Sequence, residues 1–272
     1  MPLFDRGQTK IYYEDHGSGF PLLLIAPGGM QSTVQMWARA TINPLAVYAE
    51  DFRLIAMDQR DAGQSTGPLD VADPWGSFVG DQLALLDHLG IGELHVMGCC
   101  IGGSYILKLL EQAPARVVAA VLEQPIGIVG DSGHLFDTMW RSWGTRLMAT
   151  RPDIEAGTLE AFGTTMWDGD FVVSVPRDFV RSCRTPMLVL PGVDEYHPTA
   201  TGREIAALAP RGELLEPWKD TDEHVADAVD VVRQFLQSHT PRQPNPVVPD
   251  RAMAYHANNA YGIGERGGPW HV

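Results

Sequence analysis

The sequence lacks the features that would place the chain in a membrane or in an oxidising compartment. It holds only three cysteines, and two of them are adjacent at Cys99 and Cys100, so they form neither a disulfide framework nor a pair spaced for zinc. The longest apolar run, residues 22–27, is far too short to span a bilayer. No basic stretch followed by an apolar stretch opens the chain, so no signal peptide is expected. We therefore predict a cytoplasmic protein with reduced thiols.

Basic residues are also scarce. The chain has 20 lysines and arginines against 34 aspartates and glutamates, a formal net charge of -14. Such a chain repels phosphate backbones and anionic membrane surfaces, so neither nucleic acid nor a membrane is an expected partner. Hydrophobic residues make up 44% of the chain, which is enough to bury a full core.

Short apolar strands alternate with amphipathic helical stretches along most of the chain. This pattern is typical of an α/β fold with a mostly parallel sheet flanked by helices. Strands are predicted at residues 10–14, 21–26, 53–57, 93–97, 117–122, 187–190 and 213–216, and helices at residues 77–89, 101–112, 199–209 and 224–237.

Two stretches depart from the alternation. Residues 125–184 are rich in tryptophan and phenylalanine without a clean strand pattern, and we predict a helical cap inserted between two parts of the core, residues 1–124 and 185–240. Irregular core packing is the alternative. Residues 241–272 are rich in proline, glycine, asparagine and arginine. This C-terminal extension packs on the same subunit, packs on a neighbouring one in a homo-oligomer, or is disordered.

The segment from Glu93 to Leu110 is the most informative in the chain. It is a strand, then G-x-C-x-G-G, then a helix, with Cys100 at the apex. A nucleophile there sits on a strained turn, and the flanking glycines are needed because side chains would collide with neighbouring elements. The helix N-terminus favours a thiolate. We predict Cys100 as the nucleophile and Cys99, which points into the sheet, as a small buried hydrophobe.

With these motifs the sequence resembles the α/β-hydrolase superfamily over residues 11–236. Residues 83–91 resemble the helix before the elbow strand, and residues 58–65 resemble the D-x-R-G-x-G-x-S loop, with Asp61 where glycine is usual. The elbow is similar to that of dienelactone hydrolases, which also use cysteine. The capped layout is more similar to the epoxide-hydrolase and C–C-hydrolase branch. The resemblance implies an α/β-hydrolase fold with a helical cap.

The resemblance also implies an acid and a base, in the chain order nucleophile, acid, histidine. Asp194 follows a buried strand in a G-x-D turn and matches the acid position, with Glu195 as the alternative. His224 opens the last helix after a polar loop, where the family keeps its histidine, although Glu223 replaces the usual glycine before it. His197, in the turn after Asp194, is expected to be structural.

The remaining site residues are assigned in the same way. The oxyanion hole is expected from the backbone N–H groups of Ile101 and Gly29, with Met30 as the alternative in a shifted register. The cap aromatics suggest an apolar or aromatic portion of a small-molecule substrate. Expected substrate contacts are Met30, Trp140, Trp143 and Trp167. No metal or organic cofactor is expected.

The implied chemistry is acyl transfer through a thioester on Cys100. The leading hypothesis is a hydrolase of an ester, lactone or thioester of a small hydrophobic metabolite. An acyltransferase that uses the same acyl-enzyme, and a catalytically silent scaffold that binds a ligand, are the alternatives. Dehalogenase and epoxide-hydrolase mechanisms are disfavoured because they use an aspartate at the elbow.

Overall fold

A twisted eight-stranded sheet forms the centre of the computed structural model, which describes residues 3–242. The strand order is β1-β2-β4-β3-β5-β6-β7-β8, and the sheet is parallel from β4 to β8. The strands are β1 (Leu3–Arg6), β2 (Thr9–His16), β3 (Phe20–Ile25), β4 (Phe52–Met57), β5 (Leu94–Cys99), β6 (Val117–Glu123), β7 (Met187–Leu190) and β8 (Gly212–Leu214). The predicted mostly parallel sheet is confirmed. The predicted C-terminal extension, residues 241–272, lies outside the described residues apart from its first two.

Helices cover the two faces of the sheet. They are α1 (Pro44–Val47), α2 (Pro74–His88), α3 (Ile101–Gln112), α4 (Gly133–Thr150), α5 (Ala156–Trp167), α6 (Arg177–Ser182), α7 (Thr199–Leu208) and α8 (Asp222–His239). Side-chain caps begin two of the long helices: Asp73 accepts from the Gly76 N–H at 2.9 Å, and Thr221 accepts from the His224 N–H at 3.1 Å. Within residues 3–242, no helix is long and apolar enough to cross a membrane.

Burial on both faces explains why the central strands are almost continuously apolar. Leu22 and Leu24 of β3 face one apolar layer, while Leu23 and Ile25 face the other. The first layer also contains α8, and the second contains α2 and α3. Parallel strands that are covered on both faces of the sheet have no side exposed to solvent, so apolar and polar residues do not alternate along them.

The segment between β6 and β7 carries helices α4, α5 and α6 and packs on the rest of the molecule. Inside it, Trp140 of α4 lies against Gly163 of α5, where a Cβ would come within 2.5 Å of the indole ring. The indole N–H of Trp75, on α2, donates to the Met166 carbonyl at 2.8 Å. Helices therefore occupy the stretch where a helical cap was predicted. Its division from the core as a separate domain stays a prediction.

A second connection to this segment runs through the loop after β4. Asp61 has a φ of 57°, in the left-handed region, which explains why the related motif carries glycine there. Its side chain is almost fully buried, and Oδ1 accepts from Arg151 at 2.8 Å. Burial raises the pKa of Asp61 to about 6 despite the opposing effect of the Gly67 N–H and of Arg151.

A buried ion pair holds the same loop to α2. Arg60 Nε lies 2.7 Å from Asp81 Oδ2, and the side chains are only 9% and 1% exposed. Arg60 also donates to the carbonyls of Pro68 and Ser77. Removing one partner would leave a buried, uncompensated charge, which is more costly than losing an exposed pair.

We therefore predict that Asp81→Ala lowers the free energy of unfolding by about 3–5 kcal/mol, measured by urea denaturation. Asp87→Ala, on the same helix, removes an ion pair whose carboxylate is 67% exposed, and is expected to cost less than about 1 kcal/mol. Equal losses in the two variants would contradict a structural role for the buried pair.

Candidate active site

The turn from β5 into α3 is completed at a single residue. Cys100 has φ 60° and ψ −120°, an unusual conformation for a residue with a side chain. The turn brings α3 directly against β3: a Cβ on Gly102 would lie 2.5 Å from the Ile25 carbonyl oxygen. Only a glycine at position 102 is compatible with this approach.

The two adjacent cysteines lie in different environments. Cys99 is 2% exposed and packs in the apolar layer that contains α8. Burial raises the pKa of its thiol well above the usual value. Cys100, one residue later, is partly exposed and contacts both apolar layers. A reactive thiolate is therefore disfavoured at Cys99. Burial also raises the pKa of Cys183, far along the chain.

Asp194 and His197 form a pair within one turn after β7. His197 Nδ1 lies 2.8 Å from Oδ1 and 2.9 Å from Oδ2 of Asp194. Since an ionised carboxylate only accepts hydrogen bonds, Nδ1 carries the proton and donates it. Asp194 Oδ1 also accepts the backbone N–H groups of Tyr196 and His197, both at 3.0 Å. Burial raises the pKa of Asp194, but His197 and these N–H groups together hold it below its usual value.

The second nitrogen of the His197 ring, Nε2, is not engaged by Asp194. Nε2 is buried and forms no hydrogen bond of regular geometry within the described part of the chain. The Cys100 thiol is close enough to this ring for each group to change the ionisation of the other. Burial lowers the pKa of His197, but Cys100 and Asp194 outweigh it and raise the pKa to about 9. The ring is therefore suited to hold a proton beside a thiolate.

The Cys100 thiol has its pKa lowered by its surroundings. Burial acts in the opposite direction and is the largest single influence, but His197 and the backbone N–H groups of Gly28 and Ile101 together overcome it. The thiol thus faces a cationic ring and two N–H groups from different loops. Two N–H groups that converge on a nucleophile are the components of an oxyanion hole.

The predicted base, His224, does not pair with Asp194 in the structure. His224 lies in the first turn of α8, where its N–H is capped by Thr221. Its side chain forms no hydrogen bond or ion pair with Asp194, and its Nδ1 has no partner among residues 3–242. The histidine beside Asp194 and Cys100 is His197, which the sequence analysis had assigned to a structural turn. We therefore replace His224 with His197 as the candidate base.

The loop after β3 also requires a change of register. The N–H that approaches the thiol from this loop belongs to Gly28, one residue before the expected donor Gly29. Gly29 faces α4 instead, where a Cβ would lie 2.7 Å from Met139 Sδ. Met30 is 3% exposed and packs in the core. The backbone N–H groups of Ile101 and Gly28 are therefore the candidate donors of an oxyanion hole.

The three predicted aromatic contacts lie in different surroundings. Trp140 is buried against Gly163 and acts in packing. Trp143 lines a cavity of about 380 Å³ beside Asp61. The indole N–H of Trp143 donates to the backbone carbonyl of Asp61 at 3.4 Å. Trp167 stacks on Phe136 with ring centroids 5.2 Å apart. Its indole N–H is buried and has no partner in the described residues.

A chain of aromatic rings connects the elbow helix to the His197 loop. Trp75 contacts Tyr105 of α3 at a centroid distance of 5.1 Å and Trp167 at 5.8 Å. Phe136, stacked on Trp167, contacts Tyr196 edge-on at 5.7 Å. The residue after Tyr196 is His197, and Tyr105 is close enough to Cys100 for a thiolate there to raise its pKa further. A run of packed, mostly buried aromatic rings therefore links α3 to the loop that carries His197.

No group of three or more histidine, cysteine, aspartate or glutamate side chains is placed to hold a metal ion in residues 3–242. The chemistry that the site can perform with its own residues is nucleophilic attack by a thiolate. In such chemistry a histidine transfers the protons and a carboxylate fixes the tautomer of its ring, and these are the residue types that the Asp194–His197 pair provides.

Comparison with known proteins identifies a family model that matches residues 21–166 and is described as the alpha/beta hydrolase fold. A protein of Azorhizobium caulinodans named as a carbamate hydrolase, RutD, is 34% identical over 120 residues, which cover 43% of this chain and 42% of that protein. A 2-hydroxymuconate semialdehyde hydrolase of Pseudomonas putida is 31% identical over 130 residues, covering 48% and 44%. The chain thus spans less than half of the length of these curated relatives.

Solved structures share the fold over most of the chain. A meta-cleavage product hydrolase from Pseudomonas fluorescens IP01 has a TM-score of 0.64 at 18% identity, covering 85% of this chain and 96% of that one. An enol-lactonase from Burkholderia xenovorans LB400 has a TM-score of 0.61 at 19% identity, covering 87% and 100%. At this level of identity the likeness concerns the fold alone.

The close approach of α3 to β3 leads to a prediction about stability. Gly102→Ala is expected to destabilise the protein by about 1–3 kcal/mol in urea denaturation, because the added methyl group collides with the Ile25 carbonyl. Gly92→Ala is the control, since a Cβ there meets nothing within 4 Å. A Gly102→Ala protein as stable as the control would contradict the close approach.

The assignment of His197 leads to a prediction about thiol reactivity. Without the imidazolium, burial dominates the pKa of Cys100, so His197→Gln should slow iodoacetamide alkylation of Cys100 at pH 7 about tenfold or more. The measurement is the alkylation rate by intact mass, with Cys100→Ala to identify the modified thiol. His224→Gln should react at the wild-type rate. Slower alkylation in His224→Gln, together with a wild-type rate in His197→Gln, would instead support His224, the base predicted from the sequence.

Proposed function

Because the chain belongs to the α/β-hydrolase fold family, we propose that it is a hydrolase that uses Cys100 as nucleophile, His197 as general base and acid, and Asp194 as the group that orients the ring. The observation that carries this proposal is the convergence of three residues from the ends of β5 and β7. Asp194 pairs with one nitrogen of His197, and the other side of the ring faces the thiol.

The proposed reaction proceeds through two acyl transfers. The Cys100 thiolate attacks the substrate carbonyl carbon, and the N–H groups of Gly28 and Ile101 stabilise the negative charge that develops on the carbonyl oxygen. The bond to the leaving group breaks, His197 gives the leaving group its proton, and a thioester remains on Cys100. Water then attacks the thioester while His197 takes the water proton. The acid is released and the thiolate is restored.

The substrate that we propose is an ester, lactone or thioester of a small hydrophobic metabolite. The cavity of about 380 Å³ that Trp143, Met36 and Leu147 help to line supports an apolar or aromatic portion, because cavities with aromatic and apolar linings bind planar apolar groups well. The family includes proteins named as carbamate, ester and lactone hydrolases. All of these names describe attack at a carbonyl bonded to oxygen or nitrogen. We also propose that the protein acts in the cytoplasm.

Acyl transfer to a second substrate is the alternative that uses the same intermediate, because a thioester reacts readily with amines. A scaffold that binds a ligand without turnover is the alternative from another class of proteins. The lowered pKa of the Cys100 thiol argues for the enzymes, since a thiol kept only for packing needs no such environment.

We expect brief exposure to a p-nitrophenyl ester to produce p-nitrophenol and a transient acyl adduct on the wild-type protein. Intact mass and absorbance measure the two products. Cys100→Ala should form no adduct because the attacking sulfur is gone, and His197→Gln should lose at least about a hundredfold in rate because no group moves the proton.

Cys99→Ala and His224→Gln are matched controls, and both should keep wild-type turnover. An adduct that persists in Cys100→Ala would exclude this nucleophile. Turnover that is accelerated by an added amine, with an amide as product, would favour the acyltransferase. Rapid alkylation of Cys100 without any acyl adduct across a series of esters would favour the ligand-binding scaffold.

A further inference from the structure

One face of α4 connects the loop after β3 to the cavity of about 380 Å³. Residues at spacings of four, three and four lie on the same side of a helix, and in α4 they are Met139, Trp143, Arg146 and Thr150. Met139 lies against Gly29 of the loop, because a Cβ on that glycine would be 2.7 Å from the methionine sulfur. The other three residues line the cavity. The helix therefore leads from the loop into the cavity.

The cavity also adjoins this loop from the side opposite the helix. Met36 lines it, and a Cβ on Gly28 would lie 3.2 Å from both Cγ and Cε of Met36. Gln31, another lining residue, donates its backbone N–H to the Gly28 carbonyl at 3.0 Å. The cavity is thus next to one of the two candidate donors of the oxyanion hole.

Two charged residues, Asp61 and Arg146, stand among the residues that line the cavity. Asp61 presents little negative charge to a ligand, because its side chain is only 2% exposed and its Oδ1 accepts from Arg151 at 2.8 Å. Arg146, in contrast, is exposed. The guanidinium group of Arg146 is therefore the main charge that a ligand in the cavity meets.

The hydrogen bonds of Arg146 leave its positive charge uncompensated. Its Nη1 donates to Ser142 Oγ at 2.7 Å. With the amide oxygen of Gln31 turned towards the guanidinium, that oxygen accepts from Nε at 2.8 Å and from Nη2 at 3.0 Å. Both partners are neutral. Arg141 on the same helix and Arg151 just after it pair with carboxylates, whereas Arg146 pairs with none in residues 3–242.

We propose that this cavity binds a carboxylate group carried by the substrate, and that Arg146 is the residue that selects it. The proposal rests on the proposed function for the reaction itself. Trp143, Met36 and Leu147 provide an apolar wall for the carbon chain, and a guanidinium group binds a carboxylate through two parallel hydrogen bonds. The substrate class narrows to an ester or thioester whose acyl portion carries a second, free carboxylate.

The helix sets the length of that acyl portion. Met139, beside Gly29, and Arg146 are seven residues apart, which corresponds to about 10 Å along the helix axis. Long side chains on a helix lean towards its N-terminus, so the guanidinium group lies nearer to the loop than the Arg146 Cα does. An extended chain of roughly six to eight carbons spans such a distance.

Ligand binding tests the carboxylate site without any turnover. The probes are 4-phenylbutanoate and its neutral amide, 4-phenylbutanamide, followed through the indole N–H NMR signal of Trp143, which is assigned by its absence in Trp143→Phe. The wild type should bind the acid about tenfold more tightly than the amide, because only the acid forms an ion pair with Arg146. Arg146→Gln should bind both equally, and Arg146→Lys should keep part of the preference because the charge remains.

Arg141→Gln is the matched control and should keep the wild-type preference. Arg141 lies on the same helix, pairs with Asp137 and Glu160, and does not line the cavity. Turnover is then compared for mono-p-nitrophenyl suberate, an eight-carbon acyl chain with a free carboxylate, and for its terminal carboxamide. In the wild type, kcat/KM should be about tenfold higher for the acid, and in Arg146→Gln the two values should be equal.

Equal binding of acid and amide by the wild type, or a preference that persists in Arg146→Gln, would overturn the proposal. A binding preference without the same preference in kcat/KM, in a protein that hydrolyses both esters, would also overturn it, since the cavity would then not hold the substrate. Failure of the proposed function has a different signature. In that case no ester yields p-nitrophenol or an acyl adduct, while the wild type still binds the acid more tightly than the amide.

Discussion

The chain reversal at Cys100 is the constraint on which the site depends. A single residue in an unusual backbone conformation connects a buried strand to a buried helix. The next turn of α3 then lies so close to β3 that position 102 has no room for a side chain. At the same turn, the Ile101 N–H acts on the thiol and lowers its pKa. The unusual backbone at the turn and the environment of the Cys100 thiol are thus one feature of the fold.

Around this turn, electrostatic effects oppose burial. A thiolate in an apolar site is unfavourable, and burial indeed has the largest single influence on Cys100. The ring of His197 and two backbone N–H groups reverse the outcome, and Asp194 in turn favours the charged ring. The ring of His197 is 18% exposed, and the carboxylate of Asp194 beyond it is 55% exposed. Solvent therefore stabilises the carboxylate.

Much of the fold was predictable from the sequence because it follows from local signals. The strand, G-x-C-x-G-G and helix around Cys100 indicate one geometry, and apolar runs bounded by glycine and proline indicate buried strands. Asp194 was assigned in the same way, from a strand that ends in a G-x-D turn, and its role stays a prediction. These features depend on a few consecutive residues, so that neither distant packing nor loop conformation can change them.

The structure offers a different histidine from the one predicted, because the choice depended on distance in space. The loop before α8 was identified from its place in the chain order, and His224 was the histidine available there. A signal for His197 did exist, since an aspartate that closes a turn on its own backbone brings the residue three positions later to its carboxylate. The second N–H donor shifted from Gly29 to Gly28 for a similar reason: a tight glycine turn after β3 sets which amide faces the thiol.

The burial of Glu123 at the end of β6 was not predicted either, because an acidic residue that follows an apolar strand is usually expected to reach solvent. Only the packing of the loop that contains Ile42 over it shows that the carboxyl group is buried.

The spacing of Asp194 and His197 also affects how the molecule is assembled. Because both residues belong to one turn after β7, their contact needs only that turn and the strand before it. β8 and α8, the last described elements, contribute neither of the two side chains. The last strand and the loop after it act on this turn only from outside: β8 pairs with β7, and the indole N–H of Trp218 donates to the Pro191 carbonyl at 2.8 Å. Substitutions in these later segments would therefore change the support of the turn rather than the two side chains that meet within it.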